Sequence, residues 1–123
     1  MPPTDPTADA AWIIIKSEYA PPMSGSNSIC VTTELLETGI LPMQEPVTYL
    51  TLQAPDGSVG IRAECSQGKV TKVTVENLPS FASQLDATLE VSGLGSFRVD
   101  TAFGGDSFVI VDAEDLGFKI LPE

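Results

Sequence analysis

Histidine is missing from this 123-residue chain, cysteine occurs only twice, and lysine and arginine together occur only six times. The lack of histidine excludes Ser-His-Asp and Cys-His catalysis and most zinc sites. Cys30 and Cys65 are too far apart for a Cys-x-x-Cys redox or metal motif. No basic region followed by an apolar stretch marks a secretory signal, so we expect a cytoplasmic protein with two reduced thiols.

Basic residues are few against seventeen acidic ones, which gives a net charge of −11. A surface this acidic repels phosphate backbones and anionic lipids, so we expect neither a nucleic-acid nor a membrane partner. Long apolar runs are also missing, because none approaches the roughly 20 residues of a membrane-spanning helix. The composition therefore predicts a soluble globular protein and leaves its substrate open.

One helix is predicted, over residues 28–38, because apolar residues recur there at helical spacing. Ser26 or Asn27 is the expected N-cap, since either side chain can accept from the free amides of the first turn. Gly39 is expected to end the helix in a left-handed conformation. With so many apolar positions, the helix is predicted to be largely buried.

The rest of the sequence alternates in short runs separated by turn residues, which is typical of β-strands. One strand is expected before the helix and six after it. The predicted strands cover residues 10–15, 47–53, 58–65, 70–76, 89–91, 96–102 and 107–111. This order predicts an α+β fold in which a central helix packs against a curved, mostly antiparallel sheet.

The segment just before the predicted helix, residues 23–28, reads Met-Ser-Gly-Ser-Asn-Ser. Free amides and the positive end of the helix dipole can bind a carboxylate at such a place, and Gly25 would let a ligand approach the backbone. Serine, glycine and asparagine are also simply the residues that helix starts prefer. Both interpretations remain open from composition alone.

Residues 23–43 resemble the active-site segment of the proline racemase family, whose pattern is Met-Cys-Gly-His, then Asn or Gly, then Ser or Thr, and then a helix. Further segments agree with the family in the same order. These are Ala-Glu-Cys at 63–65, Asn-Leu-Pro-Ser-Phe-Ala at 77–82, Val-Asp-Thr-Ala-Phe-Gly-Gly-Asp-Ser-Phe at 99–108, Val-Asp-Ala at 111–113 and Leu-Gly at 116–117. The resemblance covers nearly the whole chain.

The resemblance implies one half of a diaminopimelate-epimerase-like fold, in which a central helix is wrapped by antiparallel strands. Residues 1–123 would be a single partial domain, with the second half of the architecture absent. In the family the substrate lies between two such halves, and each half contributes one acid/base residue. No metal, pyridoxal phosphate or other cofactor is expected.

Carried over residue by residue, the resemblance makes Ser24 the catalytic residue. It places Gly25, Ser26 and Asn27 at the substrate carboxylate. Gly104, Gly105 and Asp106 are candidates for lining the cleft, and a tight turn is an equally open interpretation of the glycine pair. The expected ligand is a proline or hydroxyproline derivative.

The chain departs from the family pattern at Ser24, where relatives have a cysteine, and at Ser26, where they have a histidine. Members with serine are similar to trans-3-hydroxy-L-proline dehydratases and 4-hydroxyproline epimerases, which is the activity we expect. The family's second catalytic segment, an Asp-x-x-x-Cys-Gly-Thr-like run, is absent. We therefore expect little turnover from the chain alone, with a homodimer or a complementary half-domain as open alternatives. A non-catalytic imino-acid-binding or relic domain is the competing hypothesis.

Overall fold

A computed structural model describes residues 1–122, which contain one helix and seven strands. The fold class is confirmed as α+β. In chain order the elements are β1 (Ala10–Ala11), α1 (Gly25–Glu37), β2 (Val47–Ala54), β3 (Gly57–Ser66), β4 (Lys69–Glu76), β5 (Phe81–Val91), β6 (Gly95–Phe103) and β7 (Ser107–Ile110). The strands form two sheets, and the chain divides into two units at residues 78 and 79.

The first unit contains α1 and a four-stranded sheet in the order β1-β2-β3-β4. Only the β1–β2 pair is parallel, as the prediction of a mostly antiparallel sheet requires. Alternation along β2 and β3 puts every second side chain on a buried face. That face carries Thr48, Leu50, Leu52, Ala54, Val59, Ile61, Ala63 and Cys65.

Helix α1 buries one stripe, formed by Ser28, Thr32 and Leu36 at intervals of four residues. The two hydroxyls are satisfied inside the helix, because Ser28 Oγ donates to Ser24 O at 2.9 Å and Thr32 Oγ1 donates to Ser28 O at 2.7 Å. The opposite face carries the exposed Cys30 and Glu34, and even Ile29, beside the buried stripe, keeps 42% of its surface exposed. The helix is thus buried along a narrower face than the apolar pattern predicts.

Strand β1 is two residues long instead of the predicted six, because its partner ends. Ala10 and Ala11 pair with Leu52 and Gln53, and β2 stops one residue later. Strands β2, β3 and β4 agree with the predicted ranges to within one residue at each end. The irregularity expected in residues 70–76 is a bulge, where the register with β3 shifts between Glu64 and Cys65.

The second unit is an antiparallel sheet in the order β5-β6-β7. Strand β5 begins eight residues earlier than predicted, because its side chains are exposed on both faces and leave no alternating pattern in the sequence. The rings of Phe81 and Phe103 stack at 5.4 Å across the β5–β6 pair. The interpretation of residues 1–123 as one partial domain remains a prediction.

No helix among residues 1–122 is both long enough and apolar enough to cross a bilayer.

Glu37, the last residue of α1, joins the helix to the first residues of β4. Its Oε2 lies 2.6 Å from Lys69 Nζ, and its Oε1 accepts from Val70 N at 2.9 Å. The hydrogen bond from Lys69, followed by the one from Val70, lowers the pKa of the Glu37 carboxyl below its usual value. A group whose pKa is lowered by folding stabilises the folded state above its unfolded pKa.

Replacing Glu37 by Gln is expected to lower stability at neutral pH, because Lys69 and Val70 lose their charged acceptor. The difference from wild type should be fully present above the unfolded carboxyl pKa of about 4.3. It should disappear as the pH falls through the lower folded pKa. Urea unfolding across this range measures the effect, with exposed Glu34→Gln as the control. A Glu37→Gln difference of the same size on both sides of the window would contradict this account.

Candidate active site at the start of the helix

Ser24 caps helix α1. Its backbone is extended, with φ −152° and ψ 122°, and its Oγ accepts from Asn27 N at 3.4 Å. Its carbonyl accepts the first helical bond, from Ser28 N at 3.0 Å. The prediction that Ser26 or Asn27 is the cap is therefore wrong. Both residues already belong to the helix, whereas Ser24 follows Met23, whose side chain is 2% exposed and anchored in the core.

The Ser24 hydroxyl is surrounded by polar groups from the first turn of the helix. Asn27 Nδ2 donates to Ser24 Oγ at 2.9 Å, a shorter distance than the 3.4 Å from the Asn27 backbone amide. Ser26 Oγ lies 3.2 Å from Ser24 Oγ, and either hydroxyl can be the donor. The structure thus brings three of the four residues predicted at the helix start into direct contact.

The mouth of the helix is accessible. Ser26 and Asn27 are exposed, and a Cβ built on Gly25 would meet no heavy atom within 4 Å. The amides of Gly25 and Ser26 precede the first helical bond, so they point out of the helix end. No acidic side chain lies in the first turn. This arrangement can accept an anion of carboxylate size, held by two amides and the helix dipole.

Gly104, Gly105 and Asp106 connect β6 to β7 in the second unit. Gly105 is buried with φ 98°, a conformation that favours glycine, and Gly104 N donates to Asp106 O at 3.0 Å. Asp106 Oδ1 also accepts from Ser107 N at 2.9 Å. These bonds form a tight turn, the alternative that the sequence left open. A cleft-lining role for the three residues remains a prediction.

The other groups capable of chemistry lie away from residues 24–27 at the helix start. Both cysteines are free thiols, with Cys30 exposed along α1 and Cys65 buried. Within residues 1–122, no three Cys, Asp or Glu side chains gather into a metal-binding group. A depression of about 520 Å³ on the outer face of the first sheet is lined by Asp9, Tyr49, Arg62 and Glu76 among others, and by none of residues 24–27.

The contact between the Asn27 carboxamide and Ser24 Oγ is the feature of the site that the sequence did not reveal. The sequence predicts Asn27 at the substrate carboxylate, and that role remains a prediction; what the structure adds is that its side-chain nitrogen donates to the serine oxygen. The available signal is spacing, because the residue three positions after an N-cap is the one whose side chain can reach back to the cap. That signal becomes usable only once Ser24 is identified as the cap.

Known proteins match this chain over all or nearly all of its length. Residues 1–123 match the family described as Proline racemase. A crystal structure of a probable proline racemase from Agrobacterium radiobacter K84, with bound carbonate, is 42% identical with a TM-score of 0.89. The match covers 98% of this chain and 35% of that one.

A second crystal structure is of a hydroxyproline epimerase from Agrobacterium vitis with bound trans-4-hydroxy-L-proline. It is 44% identical with a TM-score of 0.90, and the match covers 99% of this chain and 36% of that one. The chain therefore spans about a third of the length of both structures. The resemblance stated from the sequence motifs is confirmed.

Replacing Ser24 by Ala is expected to cost about 1 kcal/mol of unfolding free energy, because the helix loses its N-cap. The matched control is Ser26→Ala. It also removes a serine hydroxyl, but from a residue that lies inside the helix, two positions after the cap. It should change stability by less than about 0.5 kcal/mol. Urea unfolding followed by far-ultraviolet circular dichroism measures both. A larger cost for Ser26→Ala than for Ser24→Ala would contradict the assignment of the cap.

Proposed function

This chain belongs to the proline racemase family, and from that premise we propose that its helix start forms one half of an active site for α-proton chemistry on proline derivatives. The observation that carries the proposal is the open helix mouth, where the Ser24 hydroxyl lies beside the outward-facing amides of Gly25 and Ser26. The relatives bind carbonate and trans-4-hydroxy-L-proline. Each ligand presents a planar anionic group with oxygens that backbone amides can bind.

In this proposal the substrate carboxylate is held by the amides of Gly25 and Ser26. Hydrogen bonds to an anion are stronger than those between neutral groups, and the dipole of α1 adds a favourable field. The open space at Gly25 lets the carboxylate approach the backbone closely. Binding in this way places the α-carbon near the Ser24 hydroxyl, which is the reacting group on this side of the substrate.

A serine hydroxyl restricts the chemistry that this half can perform. A cysteine thiol, with a pKa of about 8.5, can be tuned to exchange protons near neutral pH. An alcohol is a far weaker acid, and the chain has no histidine to activate it as a base. Two-base racemisation is therefore disfavoured. Dehydration of trans-3-hydroxy-L-proline needs one base for the α-proton and one donor at the departing hydroxyl, and Ser24 can be that donor.

The activity proposed is therefore trans-3-hydroxy-L-proline dehydration, with 4-hydroxyproline epimerisation as the second possibility. Epimerisation is favoured by one specific observation, the 44% identity to a hydroxyproline epimerase. The family's second acid/base residue lies in a segment that this sequence does not contain, so we propose that catalysis needs further polypeptide. A location in the cytoplasm and self-association remain predictions.

A chimera tests this function. The matched segment of the Agrobacterium vitis hydroxyproline epimerase is replaced by residues 1–123, and the protein is assayed with trans-3- and trans-4-hydroxy-L-proline. Dehydration or epimerisation is expected. The same chimera with Ser24→Ala should lose about 10²–10⁴-fold in kcat, the usual contribution of a general acid or base.

Ser24→Cys in the chimera is the informative control, because it restores the thiol found in relatives. Epimerisation should rise relative to dehydration, since a thiol can both accept and return the α-proton. A chimera that is folded by circular dichroism and yet acts on no proline derivative would reject the proposed function. Such a result would leave the non-catalytic imino-acid-binding domain, which calorimetry with proline and pyrrole-2-carboxylate would detect as saturable binding.

A further inference from the structure

The hydrogen bonds that Ser24 Oγ accepts determine which groups are left to receive its own proton. A hydroxyl has two acceptor lone pairs and one donor proton. The Asn27 backbone amide and the Asn27 carboxamide nitrogen can only donate, and both point at Ser24 Oγ, at 3.4 and 2.9 Å. Together they occupy both lone pairs. The remaining proton of Ser24 is therefore free for Ser26 Oγ, at 3.2 Å, or for a ligand that takes its place.

We propose that Asn27 is a positioning residue that makes Ser24 a hydrogen-bond donor to the substrate rather than a base. This inference rests on the proposed function and adds the direction in which Ser24 moves its proton, which is toward the substrate. Asn27 occupies the third position of α1, where a Glu or Gln commonly reaches back to the backbone of the cap. A carboxylate at that position could only accept, whereas the asparagine nitrogen donates to the Ser24 oxygen.

The same two donors stabilise whatever negative charge develops on the atom at position 24. Hydrogen bonds that favour the charged form of an acid lower its pKa. A hydroxyl held in this way gives its proton more readily to a departing hydroxyl group and is less able to accept one. Asn27 would thus bias this half of the site toward dehydration and away from two-base epimerisation.

A thiol at position 24 makes the effect measurable on residues 1–123 without any substrate. The Ser24→Cys variant is prepared with Cys30→Ser, which removes the exposed native thiol, while Cys65 is buried and stays. The thiolate is followed by its ultraviolet absorbance and by the pH dependence of alkylation with iodoacetamide. The same protein without Ser24→Cys gives the background.

The introduced thiol is expected to titrate below its ordinary pKa of about 8.5, and adding Asn27→Ala should raise that pKa by about one unit. Asn27→Asp should raise it further, because a carboxylate is a like charge and cannot donate. The control is Thr33→Ala, which removes a polar side-chain group of α1 that bonds Ile29 O and not Ser24. It should leave the pKa unchanged.

Two outcomes would overturn the role of Asn27. One is an unchanged thiol pKa in the Asn27→Ala variant, with the helix intact by circular dichroism. The other is an Asn27→Asp variant whose thiol pKa stays as low as with asparagine, since this would mean that the side chain at position 27 does not act on the atom at position 24.

The failure of this inference is distinguishable from the failure of the proposed function. An Asn27-dependent thiol pKa together with an inactive chimera would keep the contact and reject the function. An active chimera with an Asn27-independent thiol pKa would reject only the role of Asn27. In an active chimera, Asn27→Ala should lower kcat for dehydration by about tenfold with little change in KM, because it acts through Ser24 and not on the carboxylate.

Discussion

The bond from the Asn27 backbone amide to Ser24 Oγ is the interaction on which the site depends. It starts helix α1 at one defined residue, and it keeps a hydroxyl at the point where the helix amides are free. The oxygen that caps the helix is also the one proposed to react with the substrate. The chemistry proposed at Ser24 is therefore tied to the local stability of the helix.

The docking of α1 against its sheet holds this start in place. Small hydroxyl residues, Ser28 and Thr32, face the buried side and bond back to their own helix, so they need no partner from the strands. Met23 anchors the entering chain in the core, and Glu37 fastens the other end to β4. The helix is thus fixed along its length while its first turn stays open to solvent.

Much of this arrangement can be predicted from the sequence where a physical signal is strong. The alternation in β2 and β3 and the glycine at position 39 predict elements that the structure contains. Strand β5 is exposed on both faces and leaves no such signal in the sequence. Strand β1 is short because its partner β2 ends, and the residues of β1 carry no information about where β2 ends.

The candidate site, too, is only partly predictable from the sequence. Resemblance to a family, and not composition, identifies Ser24 and the residues after it, because serine, glycine and asparagine occur at any helix start. Composition favours Ser26 or Asn27 as the cap and misses Ser24, since the cap is set by where the backbone leaves the extended conformation. The carboxamide contact of Asn27 depends on a rotamer, which no sequence pattern specifies.

The most direct measurement of the central claim is a titration of ¹⁵N-labelled chain with pyrrole-2-carboxylate, a planar mimic of the deprotonated substrate, followed by the amide resonances. The account predicts saturable shifts that are largest at Gly25 and Ser26, whose amides are proposed to bind the carboxylate. Shifts centred on the outer face of the first sheet, around Gly60, with none at the helix start, would contradict it.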